Sequence, residues 1–247
     1  MEVICTYFKD RWLLPMLSTL QVRSNGSQRA IVRPLAKRQR DQLFAKPQKL
    51  HGEVDTSPSD KRTLWFVTQN AHKYQEARRT LDPFGIRIRK LESPKTEIQS
   101  ADLSDIAKFA AEEAAEKNNR TVVVEDSGLF VKALNGFPGP YSSYVHATIG
   151  VEGLVRLMNQ KMRREAHFQA SLVVASPRGN SQEFSGRAYG TISHKPAGKQ
   201  GFGFDPIFIP KDTRKTFAQG GSEFKDRYSH RAIAFRKLAL WYIKTKD

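Results

Sequence analysis

The sequence predicts an α/β domain built around a mixed β-sheet. Two observations point to this fold class: from Thr63 onward, apolar runs of strand length alternate with apolar stripes of helical period, and a long β-hairpin pattern follows them. Alternating strands and helices favour parallel pairing, whereas a hairpin adds antiparallel strands, so the combination indicates a mixed sheet.

The first strand and helix are predicted directly after residue 62. Leu64–Val67 is apolar at every position and rich in aromatic or β-branched residues, as a buried strand is. A helix should follow at once, because Asn70 can cap its start and Pro83 with Gly85 can end it. Its apolar face is formed by residues at helical spacing, which are Tyr74, Ala77 and Leu81.

The remaining elements follow from the same patterns. A second helix carries the stripe Leu103, Ile106, Ala107, Ala110 and Ala114 and ends at residues 118–119. Thr121–Val124 is a third strand whose apolar character indicates burial on both faces. The other predicted elements are a strand at Ile86–Leu91, a loop at residues 135–140, a helix at Glu152–Met162, hairpin strands at His167–Ala175 and Glu183–Ile192, and a last helix at Ser229–Lys244.

The composition favours a folded, cytoplasmic protein. Apolar residues make up 39% of the 247 residues and aromatic residues 10%, which is enough for a buried core and excludes disorder throughout. The single cysteine, Cys5, excludes an intramolecular disulfide and a zinc site made of thiolates, so we expect a reducing compartment. No apolar run approaches the roughly 20 residues that span a bilayer, and we expect a soluble protein without a membrane partner.

The net charge of +16 favours polyanionic partners such as nucleic acid, acidic membranes or phosphate-bearing metabolites. Residues 11–40 contain seven basic residues and no acidic one. We therefore predict a basic, poorly ordered N-terminal extension at residues 1–62 and a folded domain at residues 63–247, which alone keeps a net charge of +10. Three interpretations of the extension stay open: a targeting presequence, an arm that binds nucleic acid, or a leader without a separate role.

Two candidate sites follow predicted strands, where α/β sheets gather their ligands. After the first strand, the helix-start amides of residues 68–73 and the Lys73 ammonium can cradle phosphate. The alternative is an ordinary helix cap with a solvated lysine. After the third strand, Asp126 in the segment Glu125–Gly128 can hold a hard cation, and an Asx-type turn is the alternative.

Two further segments have the chemistry of base recognition. Residues 198–206 alternate glycines with aromatics, a pattern that can close over a planar base or, alternatively, form a turn whose phenylalanines lie in the core. Ser229 can cap the last helix, so that His230 and Arg231 point from its positive end toward carbonyl or phosphate oxygens; a purely structural histidine is the alternative. No Walker A sequence, nucleophile elbow or HExxH motif occurs.

Taken in order, four segments resemble the inosine triphosphate pyrophosphatase family, whose members are also called Ham1-like or RdgB-like. They are TQNAHKYQEA at 68–77, VEDSGL at 124–129, FGFDP at 202–206 and SHRAIA at 229–234. NGFPGPYSSYV at 135–145 is similar to the archaeal branch of that family, and the resemblance covers about residues 63–245.

The resemblance implies an elongated two-lobed α/β fold, with a central mixed β-sheet flanked by helices and a ligand cleft between the lobes. It also implies a homodimer that hydrolyses purine nucleoside triphosphates with Mg²⁺ to the monophosphate and pyrophosphate. The implied substrates are the deaminated nucleotides ITP, dITP and XTP, so the enzyme would cleanse the nucleotide pool. Nucleic acid is not required for this activity.

Site residues carry over from the family by motif. The implied catalytic residues are Asp126 and Lys73. The implied metal ligands are Glu97 and Asp126, although spacing alone does not favour Glu97 over Glu92 or Asp102. The implied substrate-binding residues are Thr68, Asn70 and Lys73 for the triphosphate, Ser127 beside the metal, Phe202, Phe204, Asp205 and Lys225 at the base, and His230 and Arg231 at the purine 6-oxo group.

Two departures from the family and two rival functions stay open. Gln69 replaces the usual glycine before the asparagine of the first motif, and Lys195 replaces a frequent acidic residue before proline. One rival is a basic nucleic-acid-binding protein without turnover, which should bind oligonucleotides with a steep inverse dependence on salt. The other is a pyrophosphatase for other modified nucleotides.

Overall fold

The computed structural model describes residues 63–246, and the prediction for residues 1–62 lies outside them. The described strands are β1 (Thr63–Val67), β2 (Arg87–Leu91), β3 (Val122–Val131), β4 (Pro138–Gly139), β5 (Glu165–Ala175), β6 (Ser181–Ile192) and β7 (Phe208–Pro210). The described helices are α1 (Ala71–Leu81), α2 (Leu103–Lys117), α3 (Ser142–Thr148), α4 (Gly150–Leu157), α5 (Phe217–Tyr228) and α6 (His230–Lys246).

The strands form one mixed sheet in the order β2-β1-β3-β5-β6-β7, with β4 paired to β3. β1 is parallel to both β2 and β3, whereas the pairs from β3 through β7 are antiparallel. The predicted fold class, an α/β domain with a central mixed sheet flanked by helices, is therefore confirmed. The two lobes and the cleft between them stay a prediction.

Helices cover both faces of the sheet. The alanine-rich face of α2, which includes Ala107, Ala111 and Ala115, packs against Val124 and Val173. Small side chains there allow the helix to approach the strands closely. On the other face, α1 and α6 enclose a core whose large members are Leu81, Phe66, Leu172, Phe235 and Leu238. The buried strand pattern predicted for β1 and β3 thus reflects cover on both sides.

The predicted end of the third strand is wrong. The strand continues through Glu125–Gly128 to Val131. Its parallel pairing with β1 ends at Val124, but its antiparallel pairing with β5 covers its whole length and so keeps the later residues extended. Gly128 belongs to this extended part, where an added Cβ would lie 2.1 Å from the Gly139 carbonyl oxygen. The glycine therefore allows a close approach of two backbone segments within a strand.

The helix predicted at Glu152–Met162 is present as α4, but it begins at Gly150 and ends at Leu157, and the preceding helix α3 was not predicted. Neither β7 nor α5 was predicted. Gly220 and Gly221 interrupt the helical pattern of α5, and Gly221 has non-helical backbone angles inside it. Helix α5 is stable in spite of its glycines because Thr216 and Gln219 form a capping box and Phe217 is buried in the core.

Among residues 63–246, no helix is long and apolar enough to cross a bilayer.

Candidate active site

The candidate site lies where β1 ends and β3 continues past it. The parallel pairing of the two strands stops at Val67 and Val124, so the chain that leaves β1 and the next residues of β3 are close neighbours. Helix α1 begins only four residues after the end of β1. Its first-turn amides therefore lie near the point where the pairing of β1 with β3 stops. The topology thus brings the two predicted sites together.

Asn70 shapes the start of α1. Its Oδ1 accepts hydrogen bonds from the backbone N–H groups of His72 at 2.9 Å and Lys73 at 3.1 Å. Its own N–H donates to Thr68 Oγ1 at 3.2 Å. Thr68 and Asn70, which we predicted to hold phosphate, therefore form an ordered helix cap that presents Lys73 to β3.

Lys73 pairs with a carboxylate that lies deeper in the protein. Its Nζ is 3.0 Å from Glu125 Oε2, and the Glu125 side chain has no exposed surface. Burial alone would raise the pKa of Glu125, but the charges of Arg231 and Lys73 outweigh it and lower that pKa. Glu125 is thus a buried anion that holds the lysine at the end of β1.

Arg231 is the centre of a buried charge network. Its Nε donates to Glu125 Oε1, its Nη1 donates to Glu76 Oε2, and its Nη2 donates to Ser127 Oγ at 2.9 Å. Nη2 also lies 3.1 Å from Glu125 Oε1 as an ion pair. Burial lowers the pKa of Arg231, but Glu125 and Glu76 raise it by more, so the guanidinium is a permanent cation. The planar guanidinium suits this task because it binds several oxygens in fixed directions.

Glu76 extends the network to Lys225 and to Asp205 in the loop at residues 198–206, which was predicted to close over a base. Its Oε1 is 2.8 Å from Lys225 Nζ, and the same Nζ is 2.6 Å from Asp205 Oδ2. Burial raises the pKa of Glu76, but the charges of Arg231 and Lys225 lower it by more, so that it falls to about 2. Glu76 therefore links the lysine predicted near the base with the arginine predicted near the 6-oxo group.

The proposed metal ligands Glu97 and Asp126 meet at one ammonium group. Lys95 Nζ lies 3.0 Å from Glu97 Oε1 and 3.6 Å from Asp126 Oδ1. Burial raises the pKa of Asp126, and this effect exceeds the opposing charges of Lys73 and Lys95. Within the described residues no three His, Cys, Asp or Glu side chains form a metal cluster. Two carboxylates that share a cation still fit Mg²⁺, which commonly takes one or two carboxylates and fills its shell with water and phosphate oxygens.

The two predicted phenylalanines of the loop have different environments. The ring of Phe202 stacks on His72 with centroids 5.0 Å apart, and Lys225 Nζ lies 4.2 Å from its centroid. Phe202 also lines a cavity of about 170 Å³ between α1, this loop and α5. Phe204, in contrast, is buried in the core, edge-on to His146. The alternative that the loop supplies core phenylalanines thus applies to Phe204 and not to Phe202.

A close turn holds Asp205 beside Phe202. The Phe202 N–H donates to Asp205 Oδ2 at 2.8 Å. Gly201 adopts a φ of +80°, and an added Cβ would lie 2.1 Å from the same carboxylate oxygen. Only glycine fits this position without a shift of the carboxylate.

His230 is buried at the start of α6 and stacks on Phe168 with centroids 4.8 Å apart. Burial and the neighbouring Arg231 lower its pKa well below the ordinary value, so the imidazole is neutral. Its Nδ1 has no hydrogen-bond partner within the described part of the chain. A buried polar atom of this kind is a candidate for a ligand contact.

Sequence reasoning missed three charged residues of the site: Glu76, Glu125 and Lys95. Glu76 follows Lys73 by one helical turn, so the spacing placed both on one face of α1. Glu125 directly follows a fully buried stretch of strand, where a carboxylate needs a partner. No sequence signal distinguished Lys95, which lies between β2 and α2 outside regular structure.

The chain is similar to known proteins both in sequence and in fold. The sequence model of the Ham1 family matches residues 64–241. A dITP/XTP pyrophosphatase of Hyperthermus butylicus is 43% identical over 73% of this chain and 94% of its own length. One from Ignicoccus hospitalis is 45% identical over 72% and 95%, respectively. The structure of the Staphylococcus aureus Ham1 protein, 28% identical, superposes with a TM-score of 0.66 over 75% of this chain and all of that chain.

Proposed function

The chain belongs to the Ham1 family, and from this premise we propose that it hydrolyses ITP, dITP and XTP to the nucleoside monophosphate and pyrophosphate. The relatives named dITP/XTP pyrophosphatase support the substrate class. The observation that carries the proposal is the position of Glu97 and Asp126 around one cation beside the start of α1. Carboxylates, a helix N-terminus and Lys73 together suit a triphosphate and its metal ion.

In this proposal Glu97 and Asp126 would hold Mg²⁺, which when bound would supply positive charge to offset the negative charge of the phosphates and so ease attack by water. Lys73, the first-turn amides of α1 and the hydroxyl of Thr68 bind the triphosphate. Ser127, whose hydroxyl accepts from Arg231, lies next to Asp126 and orders this end of the site.

The reaction is displacement at the α-phosphorus. Asp126 orients the attacking water and accepts its proton. The new bond joins the water oxygen to the α-phosphorus, and the bond from that phosphorus to the bridging oxygen of the β-phosphate breaks. Lys73 stabilises the negative charge of the departing pyrophosphate.

Base recognition is proposed for Phe202, Asp205, Lys225 and His230. A purine can stack on Phe202, and Asp205 can accept from a ring N–H. His230 is the better supported donor to the 6-oxo group, because its buried Nδ1 lacks a partner in the described residues. Arg231 has each of its nitrogens engaged by Glu76, Glu125 or Ser127, so its first role is to hold those groups.

The homodimer and the cytoplasmic location also remain proposals. Large apolar side chains are exposed close together in sequence, namely Phe137, Tyr141, Tyr144 and Ile149. Exposed apolar patches often mark protein interfaces, which supports a dimer. Light scattering of the purified protein measures its mass directly, and a monomer at micromolar concentration would contradict the dimer.

Asp126→Asn tests the proposed function. We expect Asp126→Asn to abolish pyrophosphate release from ITP in the presence of Mg²⁺ while the thermal unfolding transition persists. Asp105→Asn is the matched control, since Asp105 is exposed and accepts from Ser100. Wild-type turnover in Asp126→Asn would refute the assignment, and equal hydrolysis of ITP and ATP by the native enzyme would refute selection at the 6-oxo group.

A further inference from the structure

Lys95 occupies the position between the two proposed metal ligands. Its Nζ contacts Glu97 at 3.0 Å and Asp126 at 3.6 Å. The Lys95 side chain is only 17% exposed, so its ammonium is directed into the site and not into solvent. The other lysine of this region, Lys73, is turned toward Glu125. Each ammonium therefore has its own carboxylate partners.

An ammonium and a divalent cation cannot both hold the same carboxylate oxygens at close range. Metal–oxygen bonds to Mg²⁺ are about 2.1 Å long, and the ion demands near-octahedral geometry around itself. The distance from Lys95 Nζ to Glu97 Oε1 is that of a hydrogen-bonded ion pair, and the distance to Asp126 Oδ1 is that of an ion pair without a hydrogen bond. Binding of the metal to Glu97 Oε1 and Asp126 Oδ1 thus requires that Lys95 leave these two oxygens.

The surrounding structure permits such a movement. Lys95 lies in residues 92–102, which connect β2 to α2 without regular secondary structure. Its four-carbon stem is flexible, and its compact charge is readily hydrated. The Glu97 side chain is 69% exposed, so the released ammonium has a short path to water.

We propose that Lys95 is an internal competitor of the divalent cation: its ammonium bridges Glu97 and Asp126 in the metal-free protein and is displaced when the metal binds. This rests on the proposed function, because it uses the metal ligands assigned there. The consequence is a weakened affinity for metal alone. A nucleotide that brings its own phosphate ligands then favours joint binding of metal and substrate.

Binding of Mn²⁺ to the full-length protein without nucleotide tests the proposal, measured by electron paramagnetic resonance or calorimetry. Lys95→Met should bind Mn²⁺ about tenfold more tightly than the native protein, the size expected when one partly solvated unit charge is removed. Lys95→Arg keeps the charge and should bind nearly as the native protein does. Lys90→Met is the matched control, since Lys90 pairs with Glu92 outside the site.

The outcomes separate this proposal from the one on which it rests. Unchanged or weaker Mn²⁺ binding by Lys95→Met overturns the competition, and so does equal tightening by Lys90→Met. Native-like Mn²⁺ binding by Asp126→Asn overturns both the competition and the metal assignment. Weaker binding by Asp126→Asn, combined with unchanged binding by Lys95→Met, leaves the metal assignment intact and removes only the competition. If Lys95→Met does not fold, Lys95→Gln provides the same comparison.

Discussion

At the scale of the residue, the site depends on charges that are buried in pairs. Glu125 and Arg231 are almost completely buried, and each would be costly without the other. Glu76 joins Arg231 to Lys225, and Glu125 joins Arg231 to Lys73, so these charges form one network. His230 is neutral although several charged groups surround it, because burial lowers its pKa and the effects of Arg231 and Lys225 on that pKa are opposed by those of Glu125 and Glu76.

Glu76 should make stability depend on pH. Its pKa falls from 4.5 to about 2 in the folded protein, so its stabilising contribution is complete above pH 4.5 and is lost as the pH falls toward 2. We expect Glu76→Gln to lose about 3 kcal/mol of the free energy of unfolding at neutral pH and to flatten its dependence between these pH values. Denaturant titrations at several pH values measure both effects.

The control for this prediction is Glu92→Gln, because the Glu92 side chain is 85% exposed. It should change the free energy of unfolding little at any pH. Parallel stability curves for the native protein and Glu76→Gln would contradict the assigned role of Glu76.

At the scale of the element, the start of α1 and the length of β3 decide where the chemistry lies. The Asn70 cap sets the first turn of α1 and thus the position of Lys73. Because β3 extends beyond β1, Asp126 and Ser127 lie just past the end of the parallel pairing. A shorter strand or a frayed helix start would separate the proposed phosphate and metal groups.

The two helix caps of the β-α-β region allow a paired test. Asn70→Ala and Asp102→Ala each remove a side chain that accepts from backbone N–H groups at a helix start. Each should lower the free energy of unfolding by about 1 kcal/mol. Only Asn70→Ala should also raise the KM for ITP several-fold, because α1 alone presents Lys73. A similar rise in KM for Asp102→Ala would contradict the special role of the first cap.

At the scale of the whole molecule, the comparisons show which part of the chain is similar to the pyrophosphatases. The family match covers residues 64–241, and the Hyperthermus and Ignicoccus proteins align over 94% and 95% of their own lengths. Residues 1–62 thus have no counterpart in the matched region. The assignment of the catalytic unit to residues 63–247 stays a prediction.

A protein that consists of residues 63–247 should hydrolyse ITP with the kcat/KM of the full chain. The described contacts of the candidate site join residues of this part of the chain to one another, which is the physical reason for this expectation. Steady-state kinetics on both proteins measures it. Loss of turnover by a folded fragment would show that residues 1–62 contribute to catalysis, and salt-dependent binding of oligonucleotides by the full chain alone would identify them as an arm for nucleic acid.

The fold class, the family and most residues of the proposed site followed from the amino-acid sequence, because apolar periodicity and ordered motifs are local in the chain. Three features needed the folded structure: β3 continues through Asp126, Phe204 belongs to the core, and Glu76, Glu125 and Lys95 contact the proposed site residues. Strand length depends on a partner strand that is distant in sequence. Likewise, a buried charge is stable only beside an opposite charge, and Glu125 and Arg231 are more than a hundred residues apart.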